Sequence, residues 1–402
     1  MKRHAAWLGA LLLALSALPG ARAGVLSAPG EDLEVSVVTY GPGTISWERF
    51  GHDAIRIRDR VSGESGDFNY GVFDFEDSQF LWNFARGRMR YMIDAGSSDI
   101  NQQDYIDAGR SVLEEHLALS AAQAAALRDF LLWNLRPENL SYDYDYLTSN
   151  CTTRIRDALN RVLGGALQPA LTARRASQTY RQQIDRLMAP EPWLMLPMDL
   201  GMGPSTDRPL TEWQESFLPM VLARELRRVR VADGAGGVKP LVVSEREIAP
   251  SRLQPPASAP PSLKWPLGVA GVLLALAILL TRERWARTHA ALMIAWLLLA
   301  GLLGSVLLAL WTLTTHYAAW NNANLLLFNP LAFALLAAAW RSGGHRDAGR
   351  FARGLSALQL IATGVALALH LLPGAQQNQP WLLCAAPVWL AIAAGFWRRP
   401  LP

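Results

Sequence analysis

Cys151 and His52 are the two residues of this chain best suited to covalent chemistry. Cys151 lies in Asn150-Cys151-Thr152-Thr153-Arg154-Ile155-Arg156-Asp157-Ala158-Leu159, where residue types suited to a helix begin. The chain has 2 cysteines, and the other, Cys384, falls inside an apolar C-terminal segment. In an exported domain a lone thiol has no partner for a structural disulfide. At a helix N-terminus it meets the positive end of the helix dipole, which lowers a thiol pKa and favours the nucleophilic thiolate. Cys151 therefore reads as a nucleophile. The competing reading of a free cysteine is a small buried hydrophobe.

His52 sits in Trp47-Glu48-Arg49-Phe50-Gly51-His52-Asp53-Ala54-Ile55-Arg56-Ile57-Arg58-Asp59, where apolar and polar residues alternate as in a strand. Turn residues (Ser62-Gly63-Glu64-Ser65-Gly66) and a second strand-like run, Phe68 to Phe75, complete a β-hairpin. A turn near Gly63 sets Asp74 opposite His52, on the same face, as a third group to orient the base. Asn69 is the alternative by residue type, and a slip of one residue would undo the Asp74 pairing. His116 reads as a solvated surface residue.

A helix-borne Cys and a strand-borne His form the working pair of papain-like enzymes, in which the base activates the thiol. The helix after Cys151 has an apolar face of Ile155, Ala158, Leu159, Val162 and Leu163, so it packs on a core, and Gly164-Gly165 ends it. Asn150 or Ser149 caps its start. Backbone N–H groups there can stabilise an oxyanion.

The elements that position this pair fall into two halves. Residues 1–23 read as a signal peptide, with Lys2 and Arg3, an apolar run from Ala5 to Leu18, and the small-x-small site Ala21-Arg22-Ala23. Residues 24–235 have the mixed composition of one globular domain. Residues 236–264 read as a Pro-rich tether, with five prolines from Pro250 to Pro261 forming an extended stretch.

Residues 265–397 parse into five apolar spans, roughly Trp265–Leu280, His289–Leu313, Leu325–Trp340, Leu355–Leu372 and Trp381–Trp397, each near the length a bilayer demands. Arginines follow the first, third and fifth spans: Arg282, Arg284 and Arg287, then Arg341, Arg346, Arg350 and Arg353, then Arg398 and Arg399. The intervening loops hold no Lys or Arg. The positive-inside rule then expects the cytoplasmic membrane, a periplasmic N-terminal domain and a cytoplasmic C-terminus.

Composition excludes several classes. The net charge of +4 is modest and arises partly from arginines of the membrane half, so nucleic acid is not expected. No HExxH, paired cysteines or clustered histidines suggest a metal, and no phosphate loop or dinucleotide fingerprint suggests a cofactor. In the membrane half, His316, Asn321, Asn322, Asn324 and Asn329 cluster at the expected outer end of spans two and three. Polar residues at that depth often line a cavity or bind headgroups. This loop is expected to meet the Cys151 site, with His316, Asn321 and Asn324 binding substrate; an interfacial loop with helix caps is the alternative. Arg86, Arg88 and Arg90 are candidates for lipid phosphate, or else ordinary surface arginines.

The runs RFGHDAIRI, FNYGVFDF, FARGRMRYMI, PENLSYDYDYLTSNCTTRIRDAL and DLGMGPSTDRPLTEWQESFLP, in this order over most of residues 33–230, resemble the Lnb family of bacterial membrane proteins. The resemblance implies lipoprotein N-acylation. A phospholipid would give a fatty acyl chain to the α-amine of the diacylglyceryl-cysteine that begins a bacterial lipoprotein. The order His then Cys, with Asn-Cys opening a helix, is similar to the circularly permuted papain-like fold of the lecithin retinol acyltransferases, which carry the acyl chain as a thioester. By that resemblance Cys151 is the acyl-accepting nucleophile, His52 the base, and Asn150 a contributor to the oxyanion site.

The expectation is an α+β papain-like domain followed by an all-α five-helix transmembrane domain, acting as a membrane-bound cysteine acyltransferase without metal or cofactor. Two other functions compete with it. One is a papain-like peptidase or amidase acting on the cell wall, with water as acceptor. The other is a non-catalytic envelope assembly domain in which Cys151 is buried and inert.

Overall fold

The computed structural model describes residues 25, 27–74, 76, 78–233 and 236–397. The expected signal peptide and Arg398 and Arg399 lie outside the described residues. The strands are β1 (Leu33–Tyr40), β2 (His52–Asp59), β3 (Ser65–Val72), β4 (Arg90–Ser97), β5 (Val112–Leu117), β6 (Ser141–Asp143), β7 (Arg230–Ala232), β8 (Val238–Pro240) and β9 (Val242–Ala249). Seven of them form an antiparallel sheet in the order β6-β4-β3-β2-β1-β5-β9, and β7 and β8 pair separately. The helices before the membrane half are α1 (Phe80–Ala85), α2 (Ser98–Asp107), α3 (Ala121–Asn134), α4 (Cys151–Val162), α5 (Leu167–Thr172), α6 (Tyr180–Met188), α7 (Pro192–Gly201), α8 (Glu212–Glu215) and α9 (Pro219–Leu226).

Strand alternation sorts the side chains of β2 onto two faces. Ile55 and Ile57 join Val35, Val37, Phe68 and Tyr70 in a core completed by Ile155, Ala158 and Leu159 of α4 and by Leu127 and Leu131 of α3. On the other face Ala54 packs with Val38, Tyr40 and Val112, against Tyr105 and Ile106 of α2. Helices on both faces make an α+β domain in which the His-bearing strand precedes the Cys-bearing helix, as expected for a permuted papain-like arrangement.

The β2–β3 register differs from the sequence expectation. Ala54 pairs with Asn69 and Arg58 with Ser65, whereas a turn centred at Gly63 would set Ala54 against Val72. The cause is the tight start of the turn. The Asp59 carboxylate accepts from Val61 N–H at 2.9 Å and from the Ser62 hydroxyl at 2.7 Å. The chain therefore reverses before Gly63, which sits on the returning side with φ +78°. His116 also differs: it lies on β5, half-buried, within 2.9 Å of the Ser36 hydroxyl and 3.3 Å of Glu34.

The chain forms two compact units. One holds residues up to 81, 88–177 and 210–256; the other holds 82–87, 178–209 and 257 onward. The stretch expected as a tether from 236 begins with folded chain, because β9 pairs along β5 at the sheet edge. Its residues 238–239 and 241–249 lack the prolines that crowd 250–261, so their N–H groups are available to a ladder.

In the second unit five helical segments are long and apolar enough to cross a membrane: α10 (Lys264–Arg284), α11 (Ala286–Leu313), residues 323–342, α13 (Arg350–Leu369) and α14 (Gln379–Trp397). The third is broken. Two 3-10 turns, Ala323–Leu326 and Pro330–Leu335, precede α12 (Leu336–Ser342). Pro330 brings no N–H, and the Asn329 side chain caps the restart by accepting from Leu331 N–H at 3.1 Å. Gly304 admits this irregular backbone, since a Cβ there would stand 2.3 Å from Asn329 Cα.

Buried amides tie the loops of this unit to α7. Asn322 donates to the carbonyls of Leu200 and Gly201, Asn324 donates to Leu200, and Gln376 donates to Met202. Arg181 of α6, almost fully buried, pairs with Asp199 at 2.9 Å and Asp207 at 2.7 Å.

Helices α10 and α14 approach closely at Gly271, where a Cβ would fall 2.2 Å from the Cys384 carbonyl oxygen. Gly271→Val should therefore force the pair apart and destabilise the helical unit by about 1–3 kcal/mol or more, as overpacking does. Thermal aggregation of the full chain in detergent should begin at a lower temperature than wild type, with Gly268→Val, whose Cβ has ordinary contacts, as the milder control.

Candidate active site

The site begins with how α4 starts. Asn150 accepts from Thr153 N–H at 2.9 Å, and the Thr153 hydroxyl accepts from Asn150 N–H at 2.8 Å, a reciprocal capping box. The Asn150 amide also donates to the carbonyls of Tyr146 at 3.1 Å and Phe217 at 2.9 Å. Both of its N–H hydrogens are thus committed. The expected contribution to an oxyanion site is replaced by a structural one: Asn150 fixes where the helix begins, and so where Cys151 points.

Cys151, the first helical residue, is half-buried. Its thiol lies 3.8 Å from the Thr152 hydroxyl and accepts from the backbone N–H of Asp53. Facing it is Gly71, in a bulge of β3 where the register shifts between Tyr70 and Val72. A Cβ on Gly71 would stand 3.4 Å from the Cys151 Cβ, and φ at this residue is +92°. Glycine meets both conditions without strain.

His52 opens β2, one residue before the Asp53 whose backbone meets the thiol. Its Nε2 is 3.1 Å from Asn69 Oδ1. An amide oxygen only accepts, so Nε2 carries the proton, and the neutral ring keeps its lone pair on Nδ1. Asp74, expected opposite His52, is exposed, and its carboxylate accepts instead from the Glu76 N–H at 2.8 Å. The shifted register brings Asn69 to the histidine in its place. Burial holds the His52 pKa below its usual 6.5, the Asn69 bond and nearby Asp53 pull it back up in part, and the Arg110 charge adds to the lowering.

Sequence reasoning missed the groups around this pair. Tyr40 and Tyr105 stack with ring centroids 3.8 Å apart, and each lies 6.0 Å from the His52 ring. The Arg110 guanidinium covers Tyr105 at 4.6 Å and donates to the Gly41 carbonyl at 2.7 Å. Asp53 is fully buried; its carboxylate accepts from the Thr39 hydroxyl at 2.7 Å. Burial raises the Asp53 pKa to about 6, against the opposing pull of Thr39, His52 and Thr152. Asp53 is adjacent to the recognised histidine, but an acid beside a histidine carries no signal of its own. Tyr105 and Arg110 reach the site only through the fold.

The thiol pKa departs from expectation. Burial pushes Cys151 up to about 11, and the negative charge of Asp53 adds to the rise. Desolvation and a like charge outweigh the helix dipole here. Cys151 is therefore a protonated thiol at neutral pH, with a neutral histidine available as base.

The other residues singled out in the sequence fall elsewhere. Arg90 makes an exposed pair with Asp143 at 3.8 Å, Arg88 is exposed, and Arg86 lies over Trp82 at 5.6 Å. His316, Asn321 and Asn324 belong to the second unit. His316 Nε2 is 2.9 Å from the Phe84 carbonyl, Asn321 is exposed with φ +57°, and Asn324 is buried between the Leu200 carbonyl and Asn378. No cluster of metal-ligating side chains occurs among the described residues.

Residues 26–186 match the model of the Lnb N-terminal periplasmic domain, and residues 260–392 match that of the Lnb transmembrane domain. This chain belongs to the Lnb family. No curated protein and no solved structure matches it. It is a membrane-associated envelope protein with a periplasmic N-terminal domain and, among the described residues, five apolar helices. In this Lnb-family protein Cys151, His52 and Asn69 all lie within the matched periplasmic domain.

The Asp53 carboxylate raises the thiol pKa, so Asp53→Asn should lower it. In a Cys384→Ala background, alkylation of Cys151 by iodoacetamide should rise with pH toward a midpoint of about 11. Asp53→Asn should displace that profile to lower pH, because the repelling charge is gone. An unchanged profile would show that the carboxylate does not act on the thiol.

Proposed function

We propose that this protein is a cysteine acyltransferase that moves an acyl chain from a phospholipid to the N-terminal diacylglyceryl-cysteine of bacterial lipoproteins. The observation that carries the reading is the His52–Asn69 hydrogen bond. It leaves Nδ1 as a base on the strand start whose next residue meets the Cys151 thiol. A Cys-His-Asn set of this kind supports acyl transfer through a thioester.

The steps follow from the protonation states. His52 Nδ1 takes the thiol proton as Cys151 Sγ attacks the ester carbonyl of the donor. The tetrahedral oxyanion collapses, the ester C–O bond breaks, and His52 returns the proton to the departing lysophospholipid alkoxide. The lipoprotein α-amine then attacks the thioester. His52 takes a proton from the nitrogen, the C–S bond breaks, and the sulfur regains the proton as the amide forms. A neutral thiol and a neutral imidazole suit a concerted transfer. No metal or cofactor is needed.

The second substrate distinguishes this reading from a wall peptidase. Five apolar helices exceed what an anchor requires, and a lipid donor and a lipidated acceptor both reside in the membrane. The reading places the C-terminus in the cytoplasm. Thr315, after α11, donates to the carbonyls of Arg86 and Gly87, which lie inside the matched periplasmic region. Those bonds support a periplasmic loop between spans two and three, and alternation along the chain then puts the end inside.

The test is mass spectrometry of lipoprotein N-terminal peptides from a strain depleted of its own N-acyltransferase. Triacylated peptide should appear with the native chain and vanish with Cys151→Ala. In a purified assay His52→Ala should lower the rate roughly 10²–10⁴-fold, the range of a positioned general base. The wild-type rate should rise with pH through a value below 6.5, as His52 loses its proton. Diacylated peptide in both strains, with the protein inserted and stable, would reject the acyltransferase and favour a water-using peptidase.

A further inference from the structure

Helix α1 and the turn after it carry an apolar surface that the five spans do not account for. Leu81, Trp82 and Phe84 are exposed by 76%, 59% and 48%. Three large apolar side chains on one six-residue helix are unusual for a water-facing surface.

Residues 82–87 belong to the same compact unit as the apolar helices, and hydrogen bonds join them to the residues that follow α11. Thr315 N–H donates to the Arg86 carbonyl at 2.9 Å, and the Thr315 hydroxyl donates to the Gly87 carbonyl at 2.8 Å. His316 Nε2 donates to the Phe84 carbonyl at 2.9 Å. Gly87, with φ +74°, lies so close that a Cβ would stand 2.9 Å from the His316 backbone nitrogen. One of these bonds is backbone to backbone and two run from side chains to backbone carbonyls, so three successive contacts hold the turn against residues 315 and 316.

The length of α11 sets residue 315 near one end of a membrane span. Helix α11 has 28 residues and ends at Leu313. At 1.5 Å per residue it is about 42 Å long, near the ~40–45 Å of a bilayer with its headgroups. Thr315 is two residues further, at most about 7 Å of chain. Trp311 before it and Tyr317 and Trp320 after it are the aromatic types that mark the interface. The Arg86 guanidinium, 5.6 Å from the Trp82 ring centroid, adds a cation suited to lipid phosphate.

We infer that α1 and its turn form an interfacial anchor, with Trp82 and Phe84 seated at the headgroup–acyl boundary of the outer leaflet and Arg86 among the phosphates. The occupant of this surface is the bilayer itself. The inference rests on span length and on the hydrogen bonds to residues 315 and 316, so it stands or falls independently of the acyltransferase reading.

Depth measurement by spin labelling tests it. Trp82→Cys and, separately, Phe84→Cys would be made in a Cys151→Ala, Cys384→Ala background of the full chain. Each would carry a nitroxide in liposomes of phosphatidylethanolamine and phosphatidylglycerol. A label at Leu273→Cys, mid-way along α10 and lipid-exposed, sets the membrane reference, and a water-soluble nitroxide sets the aqueous one. Labels at 82 and 84 should collide more often with oxygen than with a water-soluble nickel chelate, at a depth shallower than residue 273. Nickel collisions dominating at both sites, as for the aqueous nitroxide, would overturn the proposal. The readout needs no catalysis, so an inactive labelled chain is still informative.

Discussion

The N-terminus of α4 rests against a strand residue that has no side chain, and the candidate site depends on that contact. Gly71 combines a left-handed backbone with a surface bare enough for Cys151 to approach, its Cβ position 3.4 Å from that of the cysteine. The bulge that holds Gly71 is the interruption of β3 between Tyr70 and Val72. On the helix side the Asn150–Thr153 capping box fixes the first turn, and the Asn150 amide ties it to the Phe217 carbonyl ahead of α9. The thiol is thus positioned by backbone features of three separated segments.

The same contact sets the electrostatics. Drawing α4 onto the sheet end buries Cys151 beside the Asp53 backbone and carboxylate, so the thiol proton is held more tightly than in water. Burial acts in the opposite sense on His52 and keeps the ring neutral. One dry environment therefore gives a protonated acid and an unprotonated base, the states a thiol needs if its proton is to leave only as the new bond forms. The stacked rings of Tyr40 and Tyr105 flank His52, each with its centroid 6.0 Å from that of the imidazole.

Much of this was legible beforehand. The apolar spans, the helix that starts at Cys151 and the strand that starts at His52 follow from local composition and period, and the structure has all three. The third partner of the histidine was not legible. Asn69 lies on β3 and Asp74 two residues beyond its end, and their ranking hung on a register that the Asp59 side chain moved by three residues. The edge strand β9 was also missed, because its exposed residues Ser244, Glu245, Arg246 and Glu247 read like tether composition. Its partner β5 lies more than a hundred residues earlier, and no local pattern encodes that pairing.

The sequence alone determined the residue types capable of chemistry, the helical and strand periods that carry them, and the division into a polar and an apolar half. Those properties are local: propensity, capping and hydrophobic period act over a few residues. Tertiary structure alone decided that Asn69 rather than Asp74 meets His52, that Asn150 serves the helix instead of an oxyanion, and that the Cys151 pKa rises rather than falls. It also decided that residues 82–87 and 178–209 pack with the membrane helices. Each of these turns on register, burial or a long-range hydrogen bond, and such quantities exist only once distant segments are packed together.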